Sequence, residues 1–332
     1  MLKFFFCYVV KRFVVLLVIT GSFLNTVHAE ELDKSPVDKR RHIAYIASDL
    51  TIPFWDIVSR GIRYTAIELG HDVVIYDANN SVKSELEQTV KAINSQVDGI
   101  IISPQTSASC SMVLNLARDA GIPVVIADIG TDSGEYVSYI SSDNQQGAYD
   151  IGRVLISNLH QLGWAEGEVG IIAIPQKRLN GQARTAGFMK AMIEGGIASV
   201  DIKQMKTFSQ QETYDYSVEL INRHPNLRAI WLQTSHTVPS TLKAISDLGK
   251  KGQVAVISFD AEPEFPDMID RGVILGSAMQ QPYLMGQEAL LALDSHLKDE
   301  PVEKHKQLPI LSISKKNVAG KLSLIQKTVL EL

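Results

Sequence analysis

Cysteine is nearly absent from this chain of 332 residues, with only Cys7 and Cys110 present. That excludes a thiolate metal cluster and leaves no disulfide framework to hold a small fold together. Familiar catalytic signatures are missing as well. There is no Gly-x-Ser-x-Gly elbow, no His-Glu-x-x-His, no phosphate loop ending in Gly-Lys-Ser/Thr, and no Gly-x-Gly-x-x-Gly after the first apolar strand. The expectation therefore moves from catalysis toward binding. Lys and Arg never cluster into the basic patch that phosphate neutralisation needs, so nucleic acid is not an expected partner. His224 and His236 have no second metal-binding side chain at useful spacing and are read as surface residues, with no metal and no cofactor expected. No linker rich in Gly, Ser or Pro is visible.

The first 29 residues read as a processing segment. Lys3, Lys11 and Arg12 give a positive start, Phe13 to Phe23 is a short apolar core, and Val27-His28-Ala29 fits a cleavage site before Glu30. The apolar part is interrupted and too short to span a bilayer comfortably, which sets cleavage after Ala29 and export ahead of a retained anchor. Without Lys3, Lys11 and Arg12 the chain keeps 29 basic residues against 37 acidic ones, a net charge of −8. Cys110 is then the one cysteine left, and a buried apolar role is expected of it. About 300 residues exceed what one hydrophobic core usually serves, so two domains are expected.

Glu30 to Arg41 is charged, carries Pro36 and reads as a leader. From His42 to Asn80 the pattern becomes a βαβ unit. Ile43 to Ala47 is a buried strand, Pro53 opens a segment with apolar spacing at Ile57, Ile62, Ala66 and Leu69, Gly70 closes it, and Val73 to Tyr76 is a second strand. The alternation continues through strands at Gly99 to Ser103, Ile122 to Ala127 and Val137 to Ser141, and restarts after Gly167 with strands at Val169 to Ile174, Val200 to Phe208, Leu227 to Leu232 and Val254 to Phe259. Helices lie between them. This is the pattern of doubly wound α/β architecture, and the restart predicts a second domain of the same kind. The remaining pieces, which include strands at Val273 to Ala278 and Leu308 to Ile313, are too few for a third domain. They are expected to complete the two sheets, so that the chain crosses between domains more than once.

A polar residue recurs at the carboxyl ends of the strands: Ser48, Ser103, Asp128, Thr234 or Ser235, Asp260 and Gln280. Parallel sheets bind ligands beyond those ends, and two sheets facing one cleft bring them together. Such a set suits a small polyhydroxylated molecule, because an ionised carboxylate accepts hydrogen bonds from two neighbouring hydroxyls while Phe54 and Trp55 pack on C–H faces. Each residue also has a plainer reading. Asp128 can end its strand in solvent, Asp260 can cap the next helix, one of the two aromatics can belong to the core, and Gln280 can be only a hinge residue.

The ordered set Pro53-Phe54-Trp55, Asp98-Gly99-Ile100-Ile101-Ile102-Ser103-Pro104, Gly121-Ile122-Pro123-Val124 leading to Asp128, Ser142-Asp143-Asn144, Arg184-Thr185-Ala186-Gly187-Phe188 and Ile257-Ser258-Phe259-Asp260 resembles the type I periplasmic sugar-binding proteins, and within them the ribose-binding group. The resemblance runs from about His42 to Ser314. It implies two flavodoxin-like doubly wound parallel-sheet domains joined by a hinge of three crossovers near Ser142, Gln280 and Pro309. The N-terminal lobe would be 42–142 plus 281–309, and the C-terminal lobe with its tail 143–280 plus 310–332. Phe54, Trp55, Asp128, Asp260 and Gln280 match the pocket. Ile52, Ile129, Gln182 and Thr234 stand where a ribose binder has asparagine, arginine, arginine and asparagine, which implies a ligand other than ribose, less hydroxylated or partly apolar. Arg184 is taken as structural, beside the pocket. The resemblance implies a monomeric receptor for a sugar or sugar-like small molecule that delivers it to an ABC transporter permease. The alternative is a sensor handing its closed state to a membrane histidine kinase or chemoreceptor, and the tail from Lys315 to Leu332 keeps that reading open. A glycoside hydrolase using both aspartates ranks below either, and a DNA-binding repressor is disfavoured because the export segment stands where its helix-turn-helix would be.

Overall fold

The structure is a computed structural model that describes residues 39–331; the processing segment, its cleavage site and most of the leader lie outside the described residues. The βαβ opening forms as the pattern predicts. β1 (His42–Ala47) leads to α1 (Pro53–Leu69), which begins on a proline whose missing N–H costs nothing there and ends at Gly70 in the left-handed conformation. Its buried face carries Ile57, Val58, Ile62 and Ala66. β2 (Asp72–Asp77), α2 (Val82–Asn94), β3 (Gly99–Ile102), α3 (Ser107–Asp119), β4 (Val124–Ala127) and β5 (Ser138–Ser142) follow. Ser81 caps α2, and Thr106 with Ser109 forms a capping box on α3.

The chain then builds a second layer system from α4 (Asn144–Gln161), β6 (Glu168–Ala173), α5 (Leu179–Glu194), β7 (Ala198–Gln204), α6 (Gln210–Arg223), β8 (Leu227–Leu232), α7 (Val238–Asp247), β9 (Ala255–Phe259), α8 (Phe265–Asp270) and β10 (Gly276–Met279). α9 (Pro282–Leu297) and β11 (His305–Leu308) return to the first half, and β12 (Leu311–Ser314) and α10 (Val318–Ile325) go back to the second. One six-stranded sheet has the order β11-β5-β4-β3-β1-β2 and the other β12-β10-β9-β8-β6-β7. Every pairing is parallel except β10 with β12. Helices cover both faces of each sheet, as buried parallel strands require.

Two readings of the sequence are corrected. The apolar run Leu308 to Ile313 is two strands in different sheets, because Pro309 has no N–H for a ladder and the chain changes sheet there. The strand expected to run from Val200 to Phe208 stops at Gln204, and Phe208 sits at φ 57° in the connection ahead of α6. The chain thus passes between sheets at Ser142–Asn144, Met279–Pro282 and Leu308–Leu311. These passages are tied together: the Asp143 N–H donates to the Leu308 carbonyl at 3.0 Å, and Gln281 Nε2 donates to the Pro309 carbonyl at 2.8 Å.

The two halves repeat each other closely. His42 and Glu168, Pro53 and Leu179, and Asp72 and Ala198 open corresponding elements at a constant offset of 126 residues. Gly61 and Gly187 keep the same offset, and each lies where two helices meet without side chains between them. A Cβ on Gly61 would fall 2.1 Å from the Tyr283 carbonyl oxygen, and one on Gly187 would fall 2.0 Å from that of Gln145. The corresponding helix pairs, α1 with α9 and α4 with α5, are therefore held at backbone contact.

After β12 the chain packs α10 and a π-helical turn (Gln326–Leu330) onto the second half. Val318, Ile325, Val329 and Leu330 enter the core that contains Phe265, Ile269 and Met279. The π-helical turn also rests against α9, and Glu331 pairs with Arg60 of α1 at 2.8 Å.

Candidate functional site

Asp128 and Asp260 follow the last residues of β4 and β9, strands that hold the same place in their sheets. Both have φ near the left-handed region, 69° and 65°, a conformation that aspartate tolerates better than most residues. The backbone around them is also shared. The Asp128 N–H donates to the Ile140 carbonyl and the Asp260 N–H to that of Ala278, both at 2.9 Å. Their own carbonyls accept from Tyr139 Oη at 2.8 Å and Ser277 Oγ at 2.5 Å, each from the neighbouring strand. Two equivalent turns thus aim two carboxylates into one cavity.

That cavity is lined by Ile52, Phe54 and Trp55 at the start of α1, by Arg178, Asn180 and Arg184 around the start of α5, and by Asp128, Ile174, Phe208, Thr234, Asp260 and Gln280. Of the residues expected from the sequence, Phe54, Trp55, Asp128, Thr234, Asp260 and Gln280 come together here. Ser48, Ser103 and Gln182 lie outside the lining. Ser103 Oγ bonds Tyr45 Oη at 3.0 Å, the buried Ser48 takes the Asn80 N–H on its carbonyl, and Gln182 Nε2 turns away to the Gln176 carbonyl at 2.8 Å. Trp55 does both jobs weighed for the aromatics: it meets Phe54 edge to face at 4.7 Å and also belongs to the first-half core.

The plainer readings of the two acids do not hold. Asp128 is 2 % exposed and Asp260 8 %, and α8 begins only after Glu264, too far on for Asp260 to cap it. Asp260 accepts from Gln280 Nε2 at 2.7 Å and lies 3.5 Å from Arg184 Nη1. Asp128 accepts from Asn180 Nδ2 at 3.0 Å, and its other oxygen has no hydrogen-bond partner in the protein, nor does the Gln280 side-chain oxygen. Burial pushes the Asp128 carboxyl up to about 6, against the pull of Arg184 and with a push from Asp260. An acceptor so placed is unsatisfied until a donor is brought to it.

Arg184 is in the lining, not beside it. Its Nε donates to Asn144 Oδ1 at 2.8 Å and its Nη1 to the Gln233 carbonyl at 2.7 Å, while the guanidinium lies 3.9 Å from the centre of the Phe259 ring. Arg178, which sequence reasoning missed, is 6 % exposed and stacks 5.0 Å over Phe208. The cavity therefore holds two acids and two guanidinium groups. His236 is half-buried rather than free on the surface: its Nδ1 lies 3.0 Å from Thr234 Oγ1 and its Nε2 2.9 Å from the Phe208 carbonyl, which ties it to two lining residues. Burial lowers its pKa, favouring the neutral ring. Among the described residues no group of three His, Cys, Asp or Glu side chains is placed to hold a metal ion.

Comparison with known proteins agrees with this architecture. Residues 43–301 match the periplasmic binding protein domain. The chain belongs to that family. The ribose import binding protein of Escherichia coli is 26 % identical over 261 residues, covering 79 % of this chain and 86 % of that one. A D-ribose/D-allose-binding protein of Pseudomonas aeruginosa is 28 % identical over 298 residues, covering 86 % and 88 %. Among solved structures, a carbohydrate transporter solute-binding protein of Agrobacterium radiobacter in complex with D-arabinose superposes with a TM-score of 0.80 at 23 % identity, covering 87 % of this chain and 99 % of that one. The fold is thus that of the type I periplasmic binding proteins, two α/β domains with largely parallel sheets, and the two curated relatives just described are named for binding sugars, the first of them for ribose import.

Proposed function

We propose that this protein is a periplasmic receptor that closes on a monosaccharide or a closely related polyhydroxylated molecule and presents it to an ABC transporter permease. The observation that carries the reading is the pair of equivalent turns that buries one carboxylate from each sheet in a shared cavity, beside aromatic rings and unsatisfied acceptors. Hydroxyl groups supply the donors that Asp128 and Gln280 lack, and Phe54 and Phe208 offer faces to the C–H groups of a ring. Two acids against two arginines suit an uncharged guest. The same count removes the reason for expecting a less hydroxylated ligand, because Arg178 and Arg184 bring guanidinium forks that Ile129 and Gln182 do not.

On this reading the halves 42–142 with 281–309 and 143–280 with 310–332 move as two lobes about the three passages, and residues 1–29 serve for export. Each acid already has a role as a hydrogen-bond acceptor, so binding accounts for both without catalysis. The relatives named as import binding proteins support uptake over sensing.

A thermal-shift screen with D-ribose, D-allose, D-arabinose, D-glucose, D-galactose and myo-inositol, followed by calorimetry, tests the reading. A sugar that raises the melting point by mass action and shrinks the radius of gyration in small-angle scattering is the expected result. No shift with any of them at millimolar concentration would overturn it.

A further inference from the structure

The lobe that carries Asp128 has no arginine of its own in the cavity, since Ile129 follows the acid and is fully buried among core residues. The cation nearest in role comes from across the cleft. Arg178 stands at the N-terminal cap of α5, and the 126-residue offset makes it the counterpart of Ile52, which caps α1. Both line the cavity. The same position is thus apolar in one half and cationic in the other.

Arg178 also reaches the opposite half directly. Its Nε donates to the Gln105 carbonyl at 2.9 Å, and its Nη2 lies 3.4 Å from Gln105 Oε1. Gln105 is itself fixed, with its N–H donating to the buried carboxylate of Glu85 at 2.5 Å and its side-chain amide to the Ser48 carbonyl. Among the described residues no carboxylate lies within ion-pairing distance of Arg178. Its partners are neutral, and part of its five-donor fork is left over. A buried guanidinium in that position is costly unless further acceptors reach it. Burial lowers its pKa to about 10, with Asp128 the largest charge opposing the fall.

We propose that Arg178 is a specificity-determining residue that also latches the cleft: one edge of its guanidinium holds Gln105 of the opposite lobe, and the remaining donors grip a hydroxyl oxygen of the ligand whose proton goes to Asp128. A hydroxyl can accept from Arg178 and donate to Asp128 at once, so the pair selects an uncharged guest at that point. Because the latch joins protein to protein, closure draws part of its stability from Arg178 with no sugar present. The hydroxyl contact rests on the proposed sugar-binding function; the latch does not.

Arg178→Met keeps a flexible unbranched side chain and removes the fork, and Arg178→Lys keeps only the charge. Small-angle scattering without sugar is expected to show a larger radius of gyration for Arg178→Met than for the natural protein, at an unchanged circular dichroism spectrum. With whichever sugar of the six-member panel binds the natural protein, Kd is expected to rise about 10- to 100-fold for Arg178→Met, the range for a lost charge-assisted hydrogen bond. Arg178→Lys should recover less than half of that loss on a logarithmic scale. An unchanged radius without sugar refutes the latch, even if no sugar on the panel binds. A Kd within twofold of the natural protein refutes the ligand contact. A panel that binds nowhere, with the radius still enlarged by Arg178→Met, counts against the sugar reading alone.

Discussion

Replacing Asp128 by asparagine should make the protein more stable while it ruins binding. The folded-state pKa of about 6 lies well above the ordinary value of 3.8, chiefly because burial disfavours the charge. A carboxyl raised in this way favours folding while it is protonated in the folded state: its contribution is full below about pH 4 and is lost as pH rises through 6. At pH 7 the buried charge costs about 3 kcal/mol, since each pH unit separating the two values is worth about 1.4 kcal/mol. Asparagine carries no charge, and its amide oxygen can keep the 3.0 Å bond from Asn180. Asp128→Asn should therefore melt roughly 5–10 °C above the natural protein at pH 7, and the difference should shrink toward zero as the buffer is taken to pH 4.5. Sugar affinity should move the other way. Hydroxyls bind the ionised carboxylate, so a proton competes with them, and the Kd of the natural protein should rise about tenfold per pH unit below 6. Scanning calorimetry between pH 4.5 and 8, paired with isothermal titration over the same range, reads both. Equal or lower melting of Asp128→Asn at pH 7, or a Kd flat from pH 7.5 to 5, would refute the picture of a buried acid facing the ligand.

Asp260→Ala removes the acceptor of Gln280 and the carboxylate nearest Arg184, so titration calorimetry with the best panel sugar should show a loss of about 2 kcal/mol or more in binding. Unchanged affinity would take it out of the site. Gly61→Ala must push α1 from α9, or Gly187→Ala α5 from α4, because each new methyl would meet a carbonyl oxygen; denaturant titration should report about 1–3 kcal/mol lost for each. Truncation after Lys316 strips Val318, Ile325, Val329 and Leu330 from the second-half core, at about 1.5–3 kcal/mol for each fully buried side chain, and should abolish cooperative unfolding in circular dichroism. Glu331→Ala breaks only the half-exposed pair with Arg60 and should cost under about 1 kcal/mol in the same assay.

The alternation of apolar strands and amphipathic helices was legible because each element carries its own period and its own stop signal, such as Pro53 and Gly70 at the ends of α1. What failed were features that depend on distant partners. Leu308 to Ile313 is mostly apolar, and although Pro309 marks where it breaks, only the pairing of its two parts with β5 and β10 assigns them to different sheets. The rule that strand ends carry the site picked out Asp128, Thr234, Asp260 and Gln280, which line the candidate cavity, yet it also selected Ser48 and Ser103, which neighbours within their own half absorb. Arg178 and Phe208 were missed because neither ends a strand. Phe208 sits at positive φ in the connection between β7 and α6, and Arg178 belongs to a loop ahead of a helix that lacks a side-chain cap. One signal was available: the counterpart of Arg178 at an offset of 126 is Ile52, beside the aromatic pair already singled out.

The repeated fold explains why the site is two-sided rather than symmetric, with Asp128 and Asp260 on equivalent strands but 132 residues apart rather than 126. Duplicated backbone gives each half the same left-handed turn after the corresponding strand, so an acid arises twice with the same carbonyl and N–H support. The segments that open α1 and α5 share the backbone but not the chemistry. Ile52, Phe54 and Trp55 present apolar surface, whereas Arg178, Asn180 and Arg184 present donors. A ring with a C–H face and a hydroxyl edge meets both requirements in one orientation. Turning it over would set hydroxyls against Phe54 and leave the donors of α5 without acceptors, which costs more than the lost contacts themselves because buried polar groups would stay unpaired. On the proposed reading, divergence of side chains on a repeated backbone fixes which way the sugar faces, while the repeat itself fixes where it lies.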